Sequence, residues 1–182
     1  VELEATKAKL AHAKGRDILD AAREHFSKVG VAAVVTEQKH GSLADSIENY
    51  DTGANLVVIG KRGENASLNY EHLGSNLERA VRACPHPVLV AARVFRPIQR
   101  ALIAYDGGPS ADRAVEYVAS EPLLQGAAIR LLSVGAHDTR ISDGIAAAKA
   151  RLEAASFAVQ SQLLPGHPTE VIGEAVKNDG ID

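Results

Sequence analysis

The chain has 182 residues, of which 46% are hydrophobic and 24% charged, and a formal net charge of −3. That length exceeds one average domain and falls short of two large ones, with enough apolar residues for a packed core. Mild acidity and 4% aromatic content without Trp provide neither the basic surface nor the stacking platforms that nucleic acid requires. No apolar run approaches the roughly 20 residues of a membrane span.

Taken in order, Leu10, Ile18, Leu19, Ala22, Phe26 and Val29 recur at helical spacing and predict a helix from about Glu4 to Val29. Gly30 stands where a C-terminal cap would. Val31–Val35 is short, apolar and β-branched, which predicts a buried strand. Ser42, after Gly41, reads as the N-cap of a second helix with Asp45 in its first turn, ending near Gly53. Leu56–Ile59 is a strand emptying into Gly60-Lys61-Arg62-Gly63. Gly74-Ser75 then opens a helix to about Ala83, and Pro87–Ala91 is another apolar strand.

Arg93–Arg100 breaks the alternation and reads as a linker, after which the scheme restarts. Ala101–Tyr105 is a strand ending at Asp106-Gly107-Gly108. A helix follows from Pro109 or Ser110 to Ala119, with Pro in a tolerated first-turn position. Ala127–Val134 is a strand, 142–156 an Ala-rich helix, Phe157–Leu164 a strand and Thr169–Asn178 a helix. Strands apolar on both faces, alternating with helices, imply a doubly wound parallel sheet covered on both sides. The halves repeat one another in part. Strand, Gly41, helix and Gly53-Ala54-Asn55 in the first match strand, Gly166, helix and Gly180-Ile181-Asp182 in the second.

The segment from Gly60 to Ser75 has the composition of a phosphate cradle. Glycines let the backbone approach an anion closely, and the first amides of a helix lack intrahelical partners at the positive end of its dipole. Ser75 adds a hydroxyl, and Lys61 and Arg62 add positive charge. The same residues would also serve as an ordinary strand-to-helix connection. The seven histidines are scattered, and no pair has metal-ligand spacing with Cys or carboxylate partners. His40 and His167, each beside a glycine, read as exposed loop residues. Cys84, the single cysteine, cannot form an internal disulfide, fits a reducing cytoplasm, and reads as a small buried filler. The chain contains no Met, opens in what reads as mid-helix without a signal peptide, and is read as a fragment lacking both ends.

Three segments together resemble the universal stress protein family, in its tandem two-domain form. They are Val57–Gly63 with Gly74-Ser75, then Pro87–Val90, then Ala101–Gly107 opening a second copy. The resemblance spans nearly the whole chain. It implies an adenine-nucleotide alpha-hydrolase-like fold with a five-stranded parallel sheet of order 3-2-1-4-5, present as two partial copies. On this reading residues 1–93 are the C-terminal part of a first domain, 94–100 a linker, and 101–182 the N-terminal part of a second.

Some members of the family bind ATP. Carried over by match, Asp106 would contact the nucleoside, the backbone near Val134 would read the adenine, and Gly60, Gly63, Gly74 and Ser75 would hold phosphates. ATP, with Mg²⁺, is thus the implied ligand. Two departures stand out. Ten residues separate Gly63 from Gly74, one more than in the family's ATP-binding pattern, and the phosphate and nucleoside parts belong to different copies. Either residues or a partner outside this chain complete each half, or strands of both halves form one composite sheet.

The resemblance implies a cytoplasmic stress-response protein that senses or binds adenine nucleotide. The alternative is a scaffold of the same fold that dimerises, as a homodimer, through the apolar edge Pro87–Ala91. Hydrolytic catalysis finds no positioned base or metal-like carboxylate cluster, so no catalytic residue is assigned. Dinucleotide binding lacks Gly-x-Gly-x-x-Gly. Nucleic acid and membrane are not expected partners.

Overall fold

A computed structural model describes residues 2–48, 53–60, 75–92 and 94–182. The chain divides into two compact units, Val1–Arg93 and Val94–Asp182.

In the first unit, helix α1 (Glu2–Lys28) ends as its sequence demands. Gly30 adopts φ +85°, its amide donates to the Ser27 carbonyl, and the Val31 amide reaches back to Phe26, which closes a Schellman cap. Helix α2 (Leu43–Glu48) starts at Ser42, whose hydroxyl accepts the Asp45 amide at 3.1 Å. Strand β1 (Val57–Gly60), helix α3 (Ser75–Ala83) and strand β2 (Val88–Ala91) follow. β1 and β2 run parallel in register Val57↔Val88 to Gly60↔Ala91. Leu77 and Ala80, three apart on α3, bury themselves with Ile59 of β1.

Two expectations for this unit are corrected. Val31–Val35 is not a strand, because no strand lies beside it among the described residues, and an extended segment without a ladder partner stays irregular. Instead, 31–40 returns along α1. The apolar stripe of α1 is largely open: Leu10, Ile18, Phe26 and Val29 are exposed, while Leu19 and Ala22 are half-buried. Cys84 is half-buried rather than a core filler, since it follows the last turn of α3.

The second unit comprises β3 (Arg100–Ala104), α4 (Pro109–Ser120), a single 3₁₀ turn at Pro122–Leu124, β4 (Ala128–Val134), α5 (Thr139–Ala154), β5 (Ala158–Leu164) and α6 (Pro168–Asn178). Its sheet is parallel in order β3-β4-β5, separate from the β1-β2 pair of the first unit. β4 is central and buried on both faces, and its alternation assigns the helices. Ile129 and Leu131 face α4 and α5, packing with Val115, Ile145, Leu152 and Phe157. Each such side chain fully removed from water contributes about 1.5–3 kcal/mol. Arg130 and Leu132 face α6. There the Arg130 guanidinium meets Asp179 at 2.5 Å and donates to Gln162 Oε1 at 2.7 Å, tying β4, β5 and the end of α6 together. The doubly wound α/β class follows from this two-sided burial.

Candidate functional site

Ligands of open α/β sheets bind beyond the carboxyl ends of the strands, where the backbone turns away into helices. In the second unit that rim is built by Tyr105, Asp106 and the two following glycines. The Tyr105 amide donates to the Leu132 carbonyl, extending the β3–β4 ladder one residue past the strand. The Ser133 hydroxyl, itself buried, donates to the Tyr105 carbonyl at 2.6 Å. The Tyr105 hydroxyl donates to Asp112 Oδ1 of α4 at 2.7 Å. Burial, then this bond and the Asp112 charge, push the tyrosine pKa up to about 12, so the hydroxyl keeps its proton and remains a donor. Tyr105 is thereby held at both ends.

Its rigid placement delivers Asp106 to the surface. Asp106 Oδ1 accepts the Gly108 amide at 2.8 Å, an Asx turn that aims the carboxylate across the start of α4. Gly107 supplies φ +73°, and a Cβ on Gly108 would stand 3.0 Å from Asp106 Oδ1. Gly108 is also the N-cap of α4, so no cap side chain covers that helix's first amides, and Pro109 takes the position where no amide is needed. Pro168 and Ile172 of α6 form the opposite wall. Together with Ser110, Leu132 and Val134 these residues enclose a cavity of 360 Å³. That is within the range of about 300–1,000 Å³ typical of small-ligand pockets.

The structure thus brings two sequence-predicted residues, Asp106 and Val134, to one cavity. The Gly135 amide, next to Val134, donates to Leu164 and is committed to the sheet. In the first unit, Gly60 ends β1 with an exposed backbone and Ser75 opens α3. Gly63 and Gly74, with Lys61 and Arg62, lie outside the described residues. His40 and His167 are both exposed, as read from their glycine neighbours.

Ser133, Tyr105 and the α6 wall were not singled out from the sequence. The one available signal was a lone Ser within an apolar strand. A larger cavity of 740 Å³ lies in the first unit beneath α1, lined by Leu19, Phe26, Val34 and Leu43 among others. Its lining joins the apolar stripe of α1 and segment 31–40 to residues of α2 and β1, with Thr36, Glu37, Lys39, Ser46 and His86 among them.

A family model described as "Universal stress protein family" matches residues 1–92. The chain belongs to the universal stress protein family. This universal stress protein is 34% identical to the universal stress protein Slr1230 of Synechocystis sp. over the whole chain, which spans 64% of that relative's length. A universal stress protein from Archaeoglobus fulgidus DSM 4304 shares its fold with TM-score 0.72 and 21% identity, over 93% of this chain and 63% of that one. A universal stress protein solved in complex with cAMP is similar over 48% of this chain and 70% of its own, at 19% identity and TM-score 0.42, too distant to carry an argument. No helix among the described residues of this universal stress protein is long and apolar enough to cross a membrane.

Proposed function

We propose that this universal stress protein binds an adenine nucleotide, ATP with Mg²⁺, as a sensing module of the cytoplasm rather than as an enzyme. The observation that carries the reading is the cavity where Asp106 and Val134 meet over the uncapped start of α4. A carboxylate with one oxygen tied to Gly108 presents the other to ribose hydroxyls. Apolar walls from Leu132, Val134 and Ile172 suit a purine ring.

The phosphate end of the reading rests on Gly60, Gly63, Gly74 and Ser75, where a helix start and glycine backbone favour a polyanion. We assign residues 1–93 to the C-terminal part of one domain and 101–182 to the N-terminal part of a second, joined by 94–100. Each then holds half of a complete site. No group of three or more His, Cys, Asp or Glu that could hold a metal occurs among the described residues. On this reading Mg²⁺ would be carried chiefly by the nucleotide's own phosphates.

Calorimetry and thermal-shift measurements with ATP and adenosine test the reading. Saturable heat is expected, with adenosine competing and Asp106→Ala weakening binding about tenfold or more, as expected for losing a charge-assisted bond. Absence of heat and of any thermal shift at millimolar ATP would overturn it. A second reading, a homodimeric scaffold, is favoured by β2. It pairs with β1 on one side only among the described residues, which leaves an edge of four half-buried apolar residues. A monomeric mass by light scattering would defeat that alternative.

A further inference from the structure

Segment 36–40 lies along α1 through alternate residues, the spacing by which an extended chain presents one side. Thr36 accepts a hydrogen bond from Arg23. Gln38 donates to the Ala11 carbonyl at 3.3 Å and packs over Gly15, where the glycine leaves the room it needs. The third rung is a pair of imidazoles. His40 Nε2 stands 3.0 Å from His12 Nε2, although 28 residues separate the two in sequence. Both rings are exposed to solvent.

The ring geometry is compatible with two ligands sharing one ion. The centroids are 4.5 Å apart and the planes inclined by 66°, so the Nε2 atoms lean toward each other from rings that do not meet head-on. Imidazole nitrogens bind transition ions at about 2.0–2.1 Å. Two nitrogens 3.0 Å apart then subtend about 91–97° at a shared ion. This is the cis angle of a square-planar or octahedral site, narrower than the tetrahedral angle that Zn²⁺ prefers. Among first-row divalent ions, tetragonal nitrogen and oxygen coordination points to Cu²⁺ or Ni²⁺.

We propose that His12 and His40 form a two-histidine site for Cu²⁺ or Ni²⁺, completed by water, that clips the N-terminal half of α1 to the segment preceding α2. No third His, Cys, Asp or Glu joins them among the described residues, so the ion retains solvent ligands and is exchangeable. Because the neighbouring rungs already hold segment 36–40 on α1, little ordering remains when the ion binds. The first unit would gain stability with the logarithm of free metal once the ion exceeds its dissociation constant, through binding linked to folding. The competing arrangement is a simple N–H···N hydrogen bond, in which one ring carries its proton on Nε2.

Cu²⁺ titration of the untagged chain at neutral pH, read by visible absorption and electron paramagnetic resonance, separates the two. One tightly held equivalent with hyperfine splitting from two nitrogens is expected. His12→Ala and His40→Ala should each lower the association constant at least about tenfold, since either change breaks the chelate. His40→Gln, which retains a hydrogen-bonding side chain but not an imidazole, should behave like His40→Ala, and His137→Ala should leave binding unchanged. Binding no stronger than in the variant carrying both His12→Ala and His40→Ala, undiminished binding in His40→Gln, or a parent spectrum with fewer than two nitrogens would each overturn the proposal.

Discussion

The Ser133 hydroxyl reaches across the strand pair to the Tyr105 carbonyl, 2.6 Å away and shut off from solvent. This bond fixes the residue immediately before Asp106, so the mouth of the proposed nucleotide cavity is set by a side chain that never reaches it. Removing a buried donor leaves its acceptor desolvated without repayment. Ser133→Ala is therefore expected to destabilise the second unit by about 1–3 kcal/mol in urea denaturation. A loss indistinguishable from zero would show that the carbonyl finds another donor.

Alkaline pH tests Tyr105 directly. Its folded pKa, about 12, lies above the ordinary value of 10.0, so the folded state retains a proton that the unfolded chain has released. The contribution is whole below pH 10 and declines as pH rises from there toward 12. Tyr105→Phe lacks a titrating hydroxyl, and its stability is expected to stay flatter over that window while being lower at neutral pH. Parallel alkaline limbs for the two proteins would contradict this account.

Acid pH tests a different anchor. The Asp182 carboxylate accepts amides from Gln99 at 2.8 Å and Arg100 at 3.0 Å, holding the start of β3, and these bonds lower its pKa from the usual 3.8. A depressed carboxylate stabilises above its unfolded value and loses that contribution as pH falls through the folded one. Asp182→Asn is expected to lose less stability than the parent between about pH 4 and the acid limit, an exposed contribution smaller than that of Ser133. Acid titrations followed by circular dichroism distinguish the two.

Two helical glycines should respond differently to alanine. Gly173 in α6 has open space where a Cβ would go, so Gly173→Ala should stabilise by about 0.5–1 kcal/mol from helix propensity alone. At Gly144 in α5 the same Cβ would stand 3.0 Å from the Tyr105 hydroxyl, which Asp112 holds in place. Gly144→Ala should gain less than Gly173→Ala or lose stability. Equal gains in thermal melts would mean that the Tyr105 hydroxyl yields freely.

The sequence by itself determined the elements whose evidence is local. Apolar spacing marked α1 and alanine content α5, glycine and serine marked the cap at Gly30 and the start at Ser42, and the alternation declared a parallel α/β sheet. Asp106 was singled out by the resemblance of Ala101–Gly107 to the family's first strand and the residues that end it. Tertiary structure alone decided what each segment lies beside. Val31–Val35 has strand composition but no ladder partner among the described residues, and α1 has an apolar stripe but mostly solvent over it. The Ser133–Tyr105 bond and the His12–His40 pair join residues 28 apart in each case. Periodicity records how a segment can turn its own side chains, whereas hydrogen bonding and burial depend on neighbours that only chain folding brings near.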